Sequence, residues 1–388
     1  MMVKRIDKNI IKINLWFYII GVLIFYLGCK EPFNPDINEK VDVIAVDGSL
    51  IKGKGKQVVV ITRSAPLNDI QYLPVKNCTV KIIDELGNEF QFTEESEGRY
   101  TAEINEDMLV NQRKYKLHFT TPDGNIYEST DETIIATAPV DSVYAEHESI
   151  FNTTSQEYDD VLKYYLDLKA PDEGARYYRW DLTETYEIHS NYYIDGIYLG
   201  HGIIFTPQLH DSIYYCWITK DIDQLFSSST ENLQVNEKKK IPLIEIGPNS
   251  KKMAVRYSLL VKQYALSKDA YVYWHQKKVE LEESGGLYSS QPGQTKSNIV
   301  NINDSQENVL GYFWVSSLSE KRVFYDEPYT YYKPFGYCDA AVFDSATFDN
   351  GDYPIYISGG IRSPALTADR QCFDCTLLGG SLEKPSFW

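Results

Sequence analysis

The chain has 388 residues and a formal net charge of -17 at pH 7, with 55 Asp and Glu residues against 38 Lys and Arg residues. A surface this acidic repels the phosphates of nucleic acids and of anionic membranes, so neither is an expected ligand. Calcium, cationic peptides or a partner that is not selected by charge stay open. The length allows two or three domains, each with its own core.

An apolar run at residues 15–28 follows a basic N-terminus and ends directly before Cys29. The basic residues are Lys4, Arg5, Lys8 and Lys12. The run is shorter than the roughly 20 residues of a membrane-spanning helix, which is typical of a cleaved signal peptide. Tyr26-Leu27-Gly28-Cys29 resembles the bacterial lipobox. We therefore expect residues 1–28 to be a signal peptide and Cys29 to carry the lipid; the alternative is an uncleaved signal anchor.

Residues 29–40 are polar and contain Pro32 and Pro35, a composition typical of a tether. Glu31 lies close behind Cys29. An acidic residue at this place resembles the surface-export signal of Bacteroidota lipoproteins. We therefore expect a lipid-anchored outer-membrane protein that is exposed at the cell surface.

Residues 41–137 contain short runs in which β-branched or aromatic residues alternate with polar ones. The runs begin at Val41, Gln57, Cys78, Glu89, Gly98 and Tyr115. Turn-forming residues separate several of them, as at Gly87 and Gly124. Strands of this length and spacing predict a β-sandwich domain of the immunoglobulin-like or carboxypeptidase-regulatory-like kind. Such a fold by itself assigns no chemistry.

Residues 138–388 predict a larger β-rich domain. Alternation in the run 177–188 places Tyr178, Trp180 and Leu182 on one face, and Arg179, Asp181 and Thr183 on the other. Residues 227–230 and 237–240 are polar and are expected to be loops. A helix is predicted near 268–284, with Ser267 as N-cap and an apolar face made of Ala270, Tyr273, Trp274 and Leu281. The overall prediction is a mainly β fold.

Cys216, Cys338, Cys372 and Cys375 form an even set in an exported chain, which predicts two structural disulfides in one of three pairings. The Cys372-x-x-Cys375 spacing also suits zinc or a redox dithiol, but the chain has no second pair of this kind. Cys78 lies in an alternating run and is expected to be an unpaired core thiol.

Motifs that carry chemistry are missing from the sequence: the six histidines are scattered, and no P-loop, G-x-S-x-G or dinucleotide-binding glycine pattern occurs. We therefore expect no catalytic residues, no cofactor and no enzyme activity; a hydrolase with dispersed carboxylates is the less favoured alternative. Asp344, Asp349 and Asp352 are oxygen-rich enough for calcium, although Asp349-Asn350-Gly351 reads better as a turn.

The tyrosine-rich span near residues 186–215 is the candidate surface for contacts with a ligand or partner. Tyr192, Tyr193 and Tyr198 lie among polar residues there rather than in a core pattern. The alternative is that these rings only cover one sheet.

Several stretches, taken together in order and spacing, resemble one known family. They are 138–144, Cys216-Trp217, 256–259, Gln291-Pro292-Gly293, 309–313, Lys321-Arg322, Cys372-x-x-Cys375 and 384–388. This set is similar to the Bacteroidota lipoproteins catalogued as the domain of unknown function DUF4249, over nearly the whole mature chain. The family carries no established catalytic residues.

The resemblance implies a role beside TonB-dependent outer-membrane transporters, similar to that of SusD-like lipoproteins. The expected function is capture of a nutrient for such a transporter, or gating of its entrance. The alternative is a stand-alone surface lipoprotein for adhesion or for glycan or peptide binding.

Overall fold

Strands carry most of the fold, which confirms the predicted mainly β class. A computed structural model describes residues 43–65, 71–247, 250–283, 296–326, 338–348 and 353–388. The predicted signal peptide, Cys29 and the tether at 29–40 lie outside these ranges. Within them, no helix has the length and apolar character needed to cross a membrane.

The N-terminal part is built from short strands that match the alternating runs. They are β1 (Ile44–Lys52), β2 (Lys56–Arg63), β3 (Leu73–Pro74), β4 (Thr79–Asp84), β5 (Glu89–Ser96), β6 (Arg99–Glu103), β7 (Lys114–Thr120), β8 (Ile126–Ser129) and β9 (Glu132–Thr133). Strand β5 pairs with β4 through its first half and with β6 through its second half. Alternate residues face a shared core that includes Val46, Val59, Ile82, Leu117 and Phe119. The result is a β-sandwich.

The C-terminal part has longer strands. They are β10 (Ser142–Asn152), β11 (Glu157–Lys169), β12 (Tyr177–His189), β13 (Gly196–Tyr198), β14 (Ile203–Phe205), β15 (Tyr215–Asp221), β16 (Phe226–Ser229), β17 (Glu237–Ile246), β18 (Tyr257–Ala265), β19 (Ile299–Asn301), β20 (Leu310–Tyr325), β21 (Ala341–Val342), β22 (Ile355–Ile357) and β23 (Leu366–Thr367). Short 3-10 turns lie at Glu106–Met108, Pro207–Leu209, Lys251–Met253, Ser345–Phe348, Arg370–Cys372 and Cys375–Leu378.

Strand β20 links the two predicted domains. Its first half pairs in parallel with β1, and its second half pairs antiparallel with β18. Strand β19 pairs with β8 of the sandwich, and Ile299, Phe313 and Val315 enter the sandwich core. Segments from 299 onward therefore complete a sandwich that the sequence pattern placed entirely before residue 138; the predicted domain boundary itself stays a prediction.

The helix α1 (Lys268–Glu283) begins where predicted, because Ser267 Oγ accepts a hydrogen bond from the backbone N–H of Ala270. Ala270 and Tyr273 are buried against Tyr312 and Trp314 of β20. Leu281 was wrongly placed on the buried face, since 63% of it is exposed. The predicted stop at 285–286 lies outside the described residues.

The two predicted loops at 227–230 and 237–240 are wrong for most of their length. Residues of β16 pair with Tyr177–Trp180 of β12, and Phe226 is buried. The lysines that open β17 lie on a strand paired with β11, where Lys240 forms ion pairs with Glu146 and Glu148. Local polarity misled the prediction because neighbouring strands supply the backbone hydrogen bonds.

Candidate functional site

A cleft of about 640 Å³ opens between α1 and the face of the sheet formed by β12 and β18. Its position follows from the alternation in β12: Tyr178, Trp180 and Leu182 are buried in the core, as predicted. Arg179 and Asp181 therefore project from the opposite face, toward α1. We call this feature the Arg179 cleft.

One wall of the Arg179 cleft arises from a gap in strand pairing. Strand β15 leaves β12 at the pair of Thr183 with Asp221, and β16 joins β12 at the pair of Trp180 with Phe226. The connecting residues 222–225 stay attached through a hydrogen bond from the Ile222 N–H to the Leu182 carbonyl. These residues line the cleft on the side that faces α1.

The guanidinium of Arg179 contacts two indole rings whose planes meet at 79°. Its Cζ is 3.8 Å from the ring centre of Trp274 on α1 and 5.0 Å from that of Trp314 on β20. Its Nε and Nη2 both donate to Asp181 Oδ1, at 3.2 and 3.0 Å. Cation–π contacts and a charge-assisted hydrogen bond thus hold the group in one orientation.

Two donors at this place have no acceptor. Arg179 Nη1 and Trp274 Nε1 are buried and lack a hydrogen-bond partner among the described residues. An unpaired buried donor costs about 1–3 kcal/mol, so a folded protein keeps few of them. Two such donors on neighbouring side chains indicate that a hydrogen-bond acceptor from outside the chain would be stabilised in this cleft.

Two tyrosines complete the inner part of the cleft. Burial raises the pKa of Tyr273 to about 12, and burial likewise raises the pKa of Tyr264 well above its usual value. Both phenols therefore keep their protons at neutral pH. The Tyr264 ring meets the Trp314 ring edge-on at 5.3 Å, which fixes the indole beneath Arg179.

Side chains of both charge signs lie at the rim of the Arg179 cleft. Lys277 on α1 forms an ion pair with Glu280 at 2.9 Å. Lys262 lies on β18, and Asp221 and Asp223 lie on the wall formed by the β15–β16 connection. The rim is therefore mixed in sign, whereas the whole chain carries a formal charge of -17.

The predicted contact residues Tyr192, Tyr193 and Tyr198 lie outside the Arg179 cleft. Tyr192 donates a hydrogen bond to the Cys338 carbonyl at 2.8 Å, and Tyr198 is only 6% exposed. Tyr193 stacks between His210 and Tyr214, with ring centres 4.4 and 3.8 Å away, so both faces of its ring are covered. Their role in binding stays a prediction.

Disulfides connect Cys216 to Cys375 and Cys338 to Cys372. The prediction of two disulfides is confirmed, and the pairing is now assigned. Each cysteine of the Cys372-x-x-Cys375 motif bonds to a distant partner, so the motif is neither a dithiol nor a zinc ligand pair in this structure. Cys78 is unpaired and half-buried, with its Sγ 3.7 Å from the Val75 carbonyl oxygen.

The calcium hypothesis stays a prediction. Asp344 Oδ1 accepts a hydrogen bond from the Ala346 N–H and caps a 3-10 turn. Asp349 and Asp352 lie outside the described residues. In the described part of the chain, no three His, Cys, Asp or Glu side chains are grouped closely enough to hold a metal ion.

The sequence did not predict the Arg179 cleft, although the positions of two residues that form it were predicted. The alternation placed Arg179 opposite Trp180, and the helix prediction placed Trp274 on the apolar face of α1. A basic residue between two buried aromatic residues near the start of β12 was the available signal. Its aromatic partners come from two elements distant in sequence, α1 and β20, which periodicity cannot bring together.

Comparison with known proteins identifies a family match and two weak structural likenesses. The profile of a family described as "Domain of unknown function (DUF4249)" matches residues 30–322. No curated protein matches the chain. Among solved structures, trypsin-activated alpha-2-macroglobulin from Escherichia coli is 10% identical with a TM-score of 0.20, covering 59% of this chain and 15% of that protein. The native conformation of E. coli alpha-2-macroglobulin is 11% identical with a TM-score of 0.18, covering 60% and 14%. The chain thus spans about a seventh of the length of these proteins, and likeness at this level supports no conclusion about fold or function.

Proposed function

The chain belongs to the DUF4249 family, and from that membership, its N-terminal leader and its cleft we propose that it is a lipoprotein that captures a nutrient for a TonB-dependent transporter. It is anchored in the outer membrane and exposed at the cell surface. The Bacteroidota origin belongs to the same proposal.

The anchor is the lipid on Cys29, and the first strand begins at Ile44. The intervening 14 residues extend to at most about 50 Å. This upper limit on the distance is compatible with a folded part that works beside a neighbouring transporter. The acidic charge of the folded part supports this arrangement, because it repels anionic headgroups.

The Arg179 cleft is the observation that supports the proposed capture of a nutrient. Its volume of about 640 Å³ lies within the range of small-molecule sites. Stacking on Trp274 and the hydrogen bond to Asp181 hold the Arg179 guanidinium at the cleft. A pocket of this kind suits reversible capture better than gating alone.

Affinity purification of the tagged full chain from its native membrane in mild detergent, followed by mass spectrometry, tests the proposal. We expect a barrel transporter in stoichiometric amount. Cys29→Ala should release the chain from the membrane and abolish co-purification. Cys78→Ala, which removes the other cysteine expected to lie outside a disulfide, is the matched control and should leave both unchanged.

Recovery of the lipoprotein without a transporter would contradict the partnership. That result would favour the stand-alone role in adhesion or in glycan or peptide binding, which the same cleft would serve without a partner.

A further inference from the structure

The ligand of the Arg179 cleft can be inferred from the groups that line it. We propose that the cleft binds a short peptide with free termini, taking its carboxylate at Arg179 and Trp274 and its ammonium group at Asp221 and Asp223. The inference deepens the proposed capture role and rests on it.

The place proposed for the carboxylate of the ligand is inferred from the two unpaired donors. A guanidinium and an indole N–H donate and cannot accept, so their ligand must present acceptor oxygens. Arg179 is permanently charged, and its unpaired Nη1 is a charge-assisted donor that favours an oxyanion over a neutral carbonyl. Both nitrogens are closed to solvent. Binding of a carboxylate to them requires a side-chain adjustment of the kind that commonly accompanies binding.

The place proposed for the ammonium group of the ligand is inferred from the charged residues at the rim of the cleft. The pairs of Arg179 with Asp181 and of Lys277 with Glu280 compensate one another. Asp221 and Asp223 are exposed on the wall, where Asp221 accepts a hydrogen bond from Thr183 Oγ1 at 2.6 Å, and Lys54 and Lys262 also line the cleft. Because the cleft is lined by as many cationic as anionic side chains, it favours neither a simple dianion nor a simple cation. A ligand with one charge of each sign matches both ends.

The size of the cleft selects a peptide over a free amino acid. A volume of about 640 Å³ accommodates a molecule of drug size. A single amino acid would leave much of this space unfilled. A tripeptide fills more of it and still carries one free charge of each sign.

Calorimetric titration of the full chain in detergent tests the inference. The probes are the tripeptides Ala-Xaa-Ala, with the middle residue varied, each as free acid, as C-terminal amide and as N-acetyl derivative. We expect saturable binding of at least one free acid. The matching amide and the N-acetyl derivative should each bind at least about tenfold more weakly, since each loses a charge-assisted hydrogen bond.

The binding test uses conservative variants of the two donor residues, because larger substitutions at these positions could disturb folding. Trp274→Phe keeps the stacked ring and removes Nε1–H, and Arg179→Lys keeps the charge and removes the fork; each should weaken binding at least about tenfold. Trp217→Phe is the matched control, because Trp217 Nε1 is also buried and unpaired but does not line the cleft. Arg322→Lys is the second control, since Arg322 stacks on Phe387 away from the cleft.

Three results would overturn the inference. One is the lack of saturable binding for every tripeptide up to about 1 mM. Another is binding that Trp274→Phe and Arg179→Lys leave unchanged. The third is a probe whose amide or N-acetyl derivative binds as tightly as the free acid. Because these titrations need no transporter, their failure is distinguishable from failure of the co-purification experiment.

Discussion

The guanidinium carbon of Arg179 lies 3.8 Å from the ring centre of Trp274, and this contact joins α1 to the start of β12. Trp314 of β20 contacts the same guanidinium at 5.0 Å, with its ring at 79° to that of Trp274. Three segments separated by tens of residues thus meet at one charged group, which is both a packing element and the base of the cleft.

Replacement of Trp274 by alanine should detach α1 from the sheet. We expect Trp274→Ala to lower the free energy of unfolding by about 2–4 kcal/mol, through lost ring burial and the lost cation–π contact. Leu281→Ala on the same helix is the control, and its effect should stay within about 0.5 kcal/mol because Leu281 is largely exposed. Urea unfolding measures both. Equal effects of the two variants would contradict the packing described for α1.

Glu132 should make stability depend on pH. Burial raises its pKa above the usual 4.5, against hydrogen bonds donated by Tyr312 and Ser267, each at 2.7 Å. The folded chain therefore binds this proton more tightly than the unfolded chain. The stabilisation is complete below the unfolded pKa and is lost as pH rises through the folded pKa.

Glu132→Gln removes this titration and adds an offset, independent of pH, from its altered hydrogen bonds. The stability of the variant relative to the natural chain should therefore increase between about pH 4 and about pH 8. Urea midpoints at several pH values measure the difference, with Glu173→Gln at an exposed position as control. A difference that does not change with pH would show that Glu132 titrates normally.

Gly311 should tolerate no side chain. Its φ is +95°, and a Cβ placed there would lie 1.8 Å from the Val46 carbonyl oxygen, at the parallel pairing of β1 and β20. We expect Gly311→Ala to cost more than about 4 kcal/mol. Gly87→Ala is the matched control: its φ is +84° with no atom within 4 Å, so only backbone strain of about 1 kcal/mol applies. Thermal denaturation of both variants measures the two losses of stability; equal losses would contradict the close contact at Gly311.

The two disulfides should differ in their contribution to stability. Cys216 and Cys375 are 159 residues apart, and Cys338 and Cys372 are 34 apart. Loop-closure entropy predicts losses of about 5 and about 4 kcal/mol when each pair is replaced by alanine. Urea unfolding measures this order, and peptide mapping without reduction checks the pairing. A peptide linking Cys372 to Cys375 would contradict the structure.

The local parts of the fold were predictable because they depend on neighbours in sequence. Alternation in β12 correctly separated Trp180 from Arg179, and Ser267 correctly marked the start of α1. The errors arose where distant strands decide. Polar β16 and the lysines of β17 are strands because β12 and β11 pair with them.

The amino-acid sequence alone determines the mainly β class, the position of the helix and the set of cysteines that form disulfides, because periodicity, capping and composition act over a few residues. Tertiary structure decides which cysteines pair, that β20 completes the sandwich, and that Arg179 meets Trp274 and Trp314. The physical reason is that contacts across long loops depend on the packing of the whole chain, which no local pattern encodes. The cleft and its two unpaired donors exist only at that level.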